Sequence, residues 1–406
     1  MEQFKERLHK LIHQCRHNFG GSYQAIAPLV DEILKFAIKM RASDLHIDPV
    51  ENFLRLRYRI DGYLRELHEP IPIEIASAFT ARIKILAGMD TTTTFSPLDG
   101  AIKFSNVEMR VATIPSEGAE SVTIRLLDIS QGLHNISELG FTPNNEKLFR
   151  QTLTETSGMI ILTGPMNSGK STTLYAALRE LNQPSSAIMT LEDPIEQHLN
   201  GVTQVQVNEK VGLTFASGLR SMLRMDCNCL MVGEARDKET AQIAVRGALT
   251  GHLIFTTLHA GDSCSAVFRM IEMGVEPYLL ASTLKCTVAQ RLVRRLCTNC
   301  RKLVSANDFE KKIIGAEKIY KSVGCDKCNG TGYYGRLALH EVLRVKKSVR
   351  DLILYSRDLD KIREAALKAG LETLADDGVE KIRAGLTTLE EVQRILGEEL
   401  FLIRNA

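Results

Sequence analysis

The sequence contains no tryptophan, and aromatic residues make up only 6% of its 406 residues. A cage or stacking platform built on indole rings is therefore excluded. A dominant charge is missing too: 51 Lys and Arg stand against 49 Asp and Glu, a net charge of +2. A general nucleic-acid coat or a polybasic membrane binder would be far more lopsided. No apolar run approaches the roughly 18 residues of a membrane span. The stretch from Met159 to Leu162 is far too short. The opening MEQFKERLHK carries Glu2 and Glu6 and does not read as a secretory signal. Low-complexity tracts and solenoid-period repeats are also absent. What is present is ordinary for a globular chain, with 44% hydrophobic and 25% charged residues. The length suggests about two or three domains. Nine cysteines, four of them in two tight pairs, point to a reducing, cytosolic setting with a metal site.

Phe4, Leu8, Leu11, Ile12 and Cys15 recur at helical spacing, which predicts a surface helix packed on its own domain. Gly20-Gly21-Ser22 would end it, giving an N-terminal helix over 1–24. Pro28 is expected to open a second helix reaching about Met40. In Leu54 to Ile60, apolar residues alternate with Arg55, Arg57 and Arg59, so a strand with one buried and one arginine-bearing face is predicted. Asp61-Gly62 reads as the hairpin turn into a partner strand over Tyr63 to Leu67. A helix over Ala76 to Ala87 and strands around Arg110 and Arg125 complete a small mixed α/β domain over 25–131. Three guanidiniums in a row need an anionic partner or open water. A solvated charged face is the competing reading.

Residues 132–150 read as a linker. From Met159 onward, short apolar strands (159–163, 187–191, 229–232, 253–258) alternate with helical stretches (170–182, 214–224, 238–249). That rhythm predicts a parallel sheet covered on both faces, a core over 151–290. After about residue 287 a basic helix end, the cysteine pairs (291–340) and a C-terminal helical region (341–406) are expected.

The strongest chemical signal is Gly164-Pro165-Met166-Asn167-Ser168-Gly169-Lys170-Ser171, followed by Thr172. It matches G-x-x-x-x-G-K-[ST] between an apolar strand and a helix. Such glycines let successive N–H groups face phosphate oxygens, and the helix N-terminus adds positive partial charge. Lys170 would bridge the β and γ phosphates, and Ser171 would hold Mg²⁺. The strand Cys229 to Val232 ends in Gly233-Glu234, a carboxylate for Mg²⁺ and water. Such a strand is expected beside the loop-bearing strand. Thr190 to Glu196 places Glu192, Asp193 and Glu196 at another strand end, where ligands sit in open α/β sheets. A helix N-capped by Asp193 with Pro194 at N1 is a compatible alternative. His252 and His259 flank a fourth strand and suggest phosphate sensing. Cys297-x-x-Cys300 and Cys325-x-x-Cys328 can meet as a tetrahedral S₄ site suited to structural Zn²⁺. Arg294, Arg295, Arg301 and Lys302 could offset the thiolate charge, and Gly324, Gly330, Gly332 and Gly335 fit knuckle turns. Cys15, Cys227, Cys229, Cys264 and Cys286 have no such partners and read as ordinary thiols.

ASDLHI, RYRIDG, RIKILAGMD, TGPMNSGKSTTLYAAL, TLEDPIE, LMVGEARD, ALTGHLIFTTLH and GCDKCNGTGYYGR together resemble the secretion ATPase superfamily of type II secretion and type IV pilus assembly. The resemblance spans about residues 29–345. It implies a PAS-like N-terminal domain, a RecA-like P-loop ATPase domain and a homohexamer. It also implies a Walker A loop at 164–172, an Asp box at 190–196, a Walker B segment at 229–234 and a His box at 249–259. Glu192 or Glu234 would orient the attacking water. Where the family shows Thr-Gly, this chain has Met166-Asn167. Asn is the least costly replacement if the position is left-handed. Cys227 and Asn228 depart from the usual residues before Walker B, and the loop Thr93 to Ala101 has lost its usual charges. Arg57, Arg59, Arg110 and Arg125 are then the matching candidates for a charge network acting across subunits. The cysteine knuckle points to the assembly and export branch, since the retraction branch lacks it. The function this implies is a cytoplasmic ATP-driven motor at the inner face of the cytoplasmic membrane. It would be recruited by a platform protein or through residues 1–20, with no direct nucleic-acid partner. A low-turnover nucleotide-binding scaffold and the motor of a competence DNA-uptake pilus are the alternatives.

Overall fold

The computed structural model describes residues 2–17, 23–66, 70–104, 107–127, 134–356 and 358–397. The chain divides into two compact units, Met1–Gly132 and Leu133–Ala406.

In the first unit α1 (Glu2–His17) and α2 (Tyr23–Lys39) precede β1 (Ala42–Val50), β2 (Phe53–Ile60), β3 (Tyr63–Glu66) and β4 (Ile71–Pro72). Then come α3 (Ala76–Leu86), β5 (Leu98–Phe104), β6 (Val107–Pro115) and β7 (Glu120–Leu127). The strands form an antiparallel sheet in the order β3-β2-β1-β7-β6-β5, with β4 on β2. Phe4, Leu8 and Ile12 of α1 share one core with Leu29 and Ile33 of α2 and with Leu45, Leu54 and Leu56 of the sheet. The Phe4 ring stacks on Phe36, centroids 3.6 Å apart. The first helix is thus a surface helix of its own unit. Gly20-Gly21-Ser22 lies outside the described residues. Pro28 sits inside α2 rather than at its start. The apolar face that follows it is buried and carries the helix through the lost backbone donor.

The arginine face forms as the alternation requires: Leu54, Leu56 and Tyr58 are buried and the arginines between them are half-exposed. Asp61 and Gly62 have φ of 50° and 87°, the two left-handed residues of a type I′ hairpin. The anionic partners come from β1, a strand the sequence reading passed over. Arg57 pairs with Asp48 at 2.7 Å, and Arg59 and Arg125 pair with Asp44 at 3.5 and 3.0 Å. Arg110 lies opposite Arg125 across the β6–β7 pairing.

The second unit opens with α4 (Pro143–Leu153), capped by Thr142 with Pro143 at N1, so the expected linker is in part a packed helix. It continues with β8 (Gly158–Thr163), α5 (Lys170–Leu181), β9 (Ile188–Glu192), β10 (Thr203–Gln206), α6 (Phe215–Met222), β11 (Cys229–Val232), α7 (Lys238–Leu249) and β12 (Leu253–Leu258). Next are α8 (Ser263–Glu272), α9 (Pro277–Thr283), β13 (Leu284–Leu296), β14 (Lys302–Ser305), α10 (Asp308–Ile314), β15 (Lys318–Lys321) and β16 (Tyr333–Arg344). Helices α11 (Lys347–Tyr355), α12 (Leu359–Lys368), α13 (Leu374–Arg383) and α14 (Leu389–Leu396) end the described chain.

The main sheet runs β10-β9-β11-β12-β8-β13-β16, parallel except for β16. Every residue of β8 is buried. Met159 and Ile161 enter one core with α6–α9, and Ile160 and Leu162 enter another with α4 and α5. The sheet is covered on both faces, as its unbroken apolar strands require.

Three expectations give way here. The basic segment after residue 287 is strand β13, paired with both β8 and β16, not a helix end. A strand buried on both faces shows no period-two signature, so its arginines dominated the pattern. The boundaries drawn at 290 and 340 accordingly fall inside β13 and β16, two strands of one sheet. Strand β11 does not adjoin β8, because β12 returns between them after α7.

Candidate nucleotide site and cysteine centre

Strand β8 ends at Thr163 and the loop to α5 begins with Gly164 at φ 149°. A Cβ there would lie 2.4 Å from the Gln290 carbonyl oxygen, so only glycine lets β13 approach so closely. Asn167 adopts φ 61°, the left-handed state anticipated for the residue replacing the usual glycine. The Lys170 side chain, expected to reach the β and γ phosphates, is buried against its own loop. Its Nζ donates to the carbonyls of Gly164 and Pro165 at 2.7 and 2.9 Å. Burial lowers its pKa to about 8; Glu234 opposes that shift and Arg291 adds to it. The Ser168 hydroxyl is buried without a partner. A lysine folded onto its own loop and an orphaned hydroxyl beside it are donors suited to a phosphate.

Around the Gly164 carbonyl the expected residues do converge. His259, just after β12, places Nδ1 3.1 Å from that oxygen and Nε2 3.2 Å from Glu234 Oε1. Glu234, just after β11, also accepts from Arg236 Nε at 2.7 Å. Glu234 and His259 remain partly exposed, open to a reactant. Ser171 is half-buried and Thr172 exposed at the start of α5. The Ser171 hydroxyl and the Glu234 carboxylate are hard oxygen donors of the kind Mg²⁺ takes.

Glu192 behaves differently. It is buried at the end of β9. Tyr175 donates to its Oε2. Thr190 Oγ1 and Gln204 Nε2 donate to its Oε1 at 2.5 and 3.0 Å. Its lone pairs are largely committed. Asp193 caps no helix: the segment after β9 is irregular, with a cis Asp193-Pro194 bond. His252 stands at the opposite end of β12 from His259, its Nδ1 3.2 Å from the Gly247 carbonyl, and takes no part in the site. Arg57, Arg59, Arg110 and Arg125 belong to the first unit.

The sequence reading missed Tyr175, Thr173, Gln290 and Arg291. Thr173 and Tyr175 are both buried on α5, but two residues apart they point to different sides of the helix, Thr173 to Gln290 and Tyr175 to Glu192. Gln290 and Arg291 lay hidden in the segment taken for a helix end.

The four paired cysteines come together. All four sulfurs lie within 4.8 Å of one another. Three of the Sγ···Sγ separations are 3.9, 3.8 and 3.7 Å. A tetrahedral ion with metal–sulfur bonds of about 2.3 Å sets its sulfurs about 3.8 Å apart, so the cluster can hold a metal ion. The backbone N–H groups of Gly324, Cys325 and Gly332 donate to sulfurs at 3.2–3.3 Å. Two of the expected basic neighbours are engaged elsewhere. Arg294 pairs with the buried Glu391 and lies over Tyr333, and Arg301 lies over Tyr320. The other five cysteines are buried.

A parallel sheet with a glycine loop and lysine at the end of one strand, and a carboxylate at the end of another, defines a P-loop nucleoside triphosphatase. Residues 21–394 match the family described as Type II/IV secretion system protein, and the chain belongs to that family. The Type II secretion system ATPase E of Vibrio cholerae is 43% identical over 382 residues, 92% of this chain and 76% of that protein. The Type IV pilus assembly ATPase PilB of Myxococcus xanthus is 40% identical over 380 residues, 90% of this chain and 67% of that protein. The pilus retraction motor PilT with bound ADP superposes with a TM-score of 0.63 at 25% identity, covering 90% of this chain and 96% of that one. The ATPase DotB of Legionella pneumophila has a TM-score of 0.68 at 23% identity, with 93% and 95% covered, a likeness of fold alone. The chain is a secretion or pilus-assembly ATPase. No helix among the described residues is long and apolar enough to cross a membrane.

Proposed function

We propose that the chain is the ATP-driven motor that powers assembly of a type IV pilus or of a type II secretion pseudopilus. It works as a homohexamer, held at the inner face of the cytoplasmic membrane by a platform protein and not by nucleic acid. The observation that carries this reading is the convergence of Lys170 and His259 on one loop carbonyl, with Glu234 on the other ring nitrogen of that histidine, in a chain about 40% identical to the named secretion and pilus-assembly ATPases.

Lys170 moves from its own carbonyls to the β and γ phosphates. Ser171 and Glu234 would hold Mg²⁺, which would supply neutralising charge for the phosphates. Glu234 orients the attacking water, and His259 links its carboxylate to the phosphate loop. Glu192, held by three donors, has a smaller part in ordering that edge of the sheet. The first unit is a PAS-like domain. Its Arg57, Arg59, Arg110 and Arg125 supply cations to a nucleotide in the ring, with Asp44 and Asp48 holding three of them in place. The four-cysteine cluster would hold zinc as a structural ion. The knuckle favours the assembly branch over retraction.

The test is Mg²⁺-dependent ATP turnover by the purified full chain, with its particle mass measured in the same buffer. Turnover by particles of six chains is expected. A folded chain that binds ATP but never hydrolyses it, in any assembly, would remove the motor reading.

A further inference from the structure

We propose that Gln290 is a positioning residue of the nucleotide site, an amide clasp that sets the orientation of one peptide plane in the phosphate loop. Its side chain is buried on β13, the strand beside β8. Gln290 Nε2 donates to the carbonyl of Ser168 at 2.8 Å. Gln290 Oε1 accepts from Thr173 Oγ1, also at 2.8 Å. The Ser168 carbonyl can only accept, so the amide nitrogen must face it, and the Thr173 hydroxyl then fixes the other end. One side chain therefore ties the loop to the first turn of the helix that follows.

The consequence comes from peptide geometry. In a planar trans peptide, the carbonyl of one residue and the N–H of the next point in opposite directions. Holding the Ser168 carbonyl toward β13 turns the Gly169 N–H away from β13, toward the hollow of the loop. That N–H is one of the donors a polyanion needs there. Glycine at 169 serves the same end. Its φ is 86°, and a Cβ would lie 2.7 Å from Gln290 Nε2, so any other residue would push the clasp away. Arg291, the next residue on β13, ties the strand to the neighbouring loop: its guanidinium donates to the Gly261 carbonyl at 2.5 Å, two residues beyond His259. Donors arranged before the ligand arrives cost nothing to reorganise, which is where such a clasp acts.

This inference rests on reading the loop as the nucleotide site. The test uses the full chain, a fluorescent ADP as probe, and thermal melting without nucleotide. Gln290→Leu, similar in size and unable to donate, should raise the ADP Kd about tenfold or more. That is the loss expected for one hydrogen bond from a backbone donor to a charged group. Thr173→Val, which leaves the glutamine but frees its amide, should raise it by a smaller factor. Thr173→Ser, which restores the hydroxyl, should return to the parent Kd. A role in packing alone would lower the melting temperature with the Kd unmoved, and that result overturns the proposal, as does no change in either. If Gln290→Leu does not fold, the Thr173 pair decides alone by the same criterion. Lys170→Ala separates the two readings: parent-like ADP binding by that variant removes the site itself. Loss of binding there, beside unchanged binding in Gln290→Leu and Thr173→Val, removes only the clasp.

Discussion

The phosphate loop and the cysteine knuckle are both glycine-rich turns bordered by β13, and both aim hydrogen-bond donors at a place where charge will sit. They differ in which charge the chain supplies. The knuckle supplies four thiols gathered within 4.8 Å, groups that become anionic ligands when they hold a metal ion. The phosphate loop supplies the cation, Lys170, and calls for an anion. In the knuckle the ligands already meet, and backbone N–H groups reach the sulfurs directly. In the loop, Lys170 and His259 rest on the Gly164 carbonyl. On the proposed reading, a structural centre is fully assembled by its own chain, whereas a catalytic centre holds its charged groups on exchangeable partners.

The largest effect is expected from removing the cation of the catalytic loop. Lys170→Ala should bring ATP turnover to background while circular dichroism stays that of the parent. Turnover above about a tenth of the parent in a folded variant would break the contrast, because the loop would then not depend on its own charge.

On the other side, Cys297→Ser or Cys325→Ser should abolish a bound metal ion, measured as about one zinc per chain in the parent. Hydrogen exchange should rise over residues 290–340. Elemental analysis that finds no metal in parent protein prepared without chelators would leave the knuckle as four reduced thiols.

Within the catalytic edge, Glu234→Gln should lower turnover by about 10²- to 10⁴-fold, the usual range for a group acting on a reacting proton, with ATP binding retained. Glu192→Gln should have a smaller effect, because Tyr175, Thr190 and Gln204 already commit that carboxylate. A reversed ranking in single-turnover assays would transfer the water-orienting role to Glu192.

The smallest effect is a pH dependence. Burial brings the Lys170 ammonium down to a pKa of about 8 in the free protein, and a bound polyphosphate must raise it again. Binding then takes up a proton above pH 8. The ADP Kd should rise with pH beyond that point, by at most about tenfold per unit. Below pH 7 the lysine is charged in both states, so this dependence should vanish. A Kd that stays flat from pH 7 to 9.5 in calorimetry would mean that Lys170 is charged throughout.

The degree to which each part could be read from sequence follows from the range of the interactions involved. The loop, its strand and helix, and the Asp61-Gly62 turn are local, and local rules placed them. Asn167 was anticipated because a left-handed backbone state is a property of one residue. The arginine face of β2 was legible from period two, but its partners Asp44 and Asp48 lay on β1, whose pairing is set by the sheet. Gln290 was illegible for the same reason: its meaning lies in two contacts 117 and 122 residues away.

By itself the sequence determined the chemistry on offer: a loop with the phosphate-binding pattern, a carboxylate at a strand end, four cysteines at knuckle spacing and a family resemblance. These rest on the order and kind of neighbouring residues, which the covalent chain preserves. The tertiary structure alone decided that β12 stands between β8 and β11, and that the basic segment is a strand. It also decided that His259 joins the site while His252 does not, and that Glu192 is committed while Glu234 is accessible. Those outcomes depend on which surfaces meet when apolar strands and helices are buried together, and no single segment carries that information.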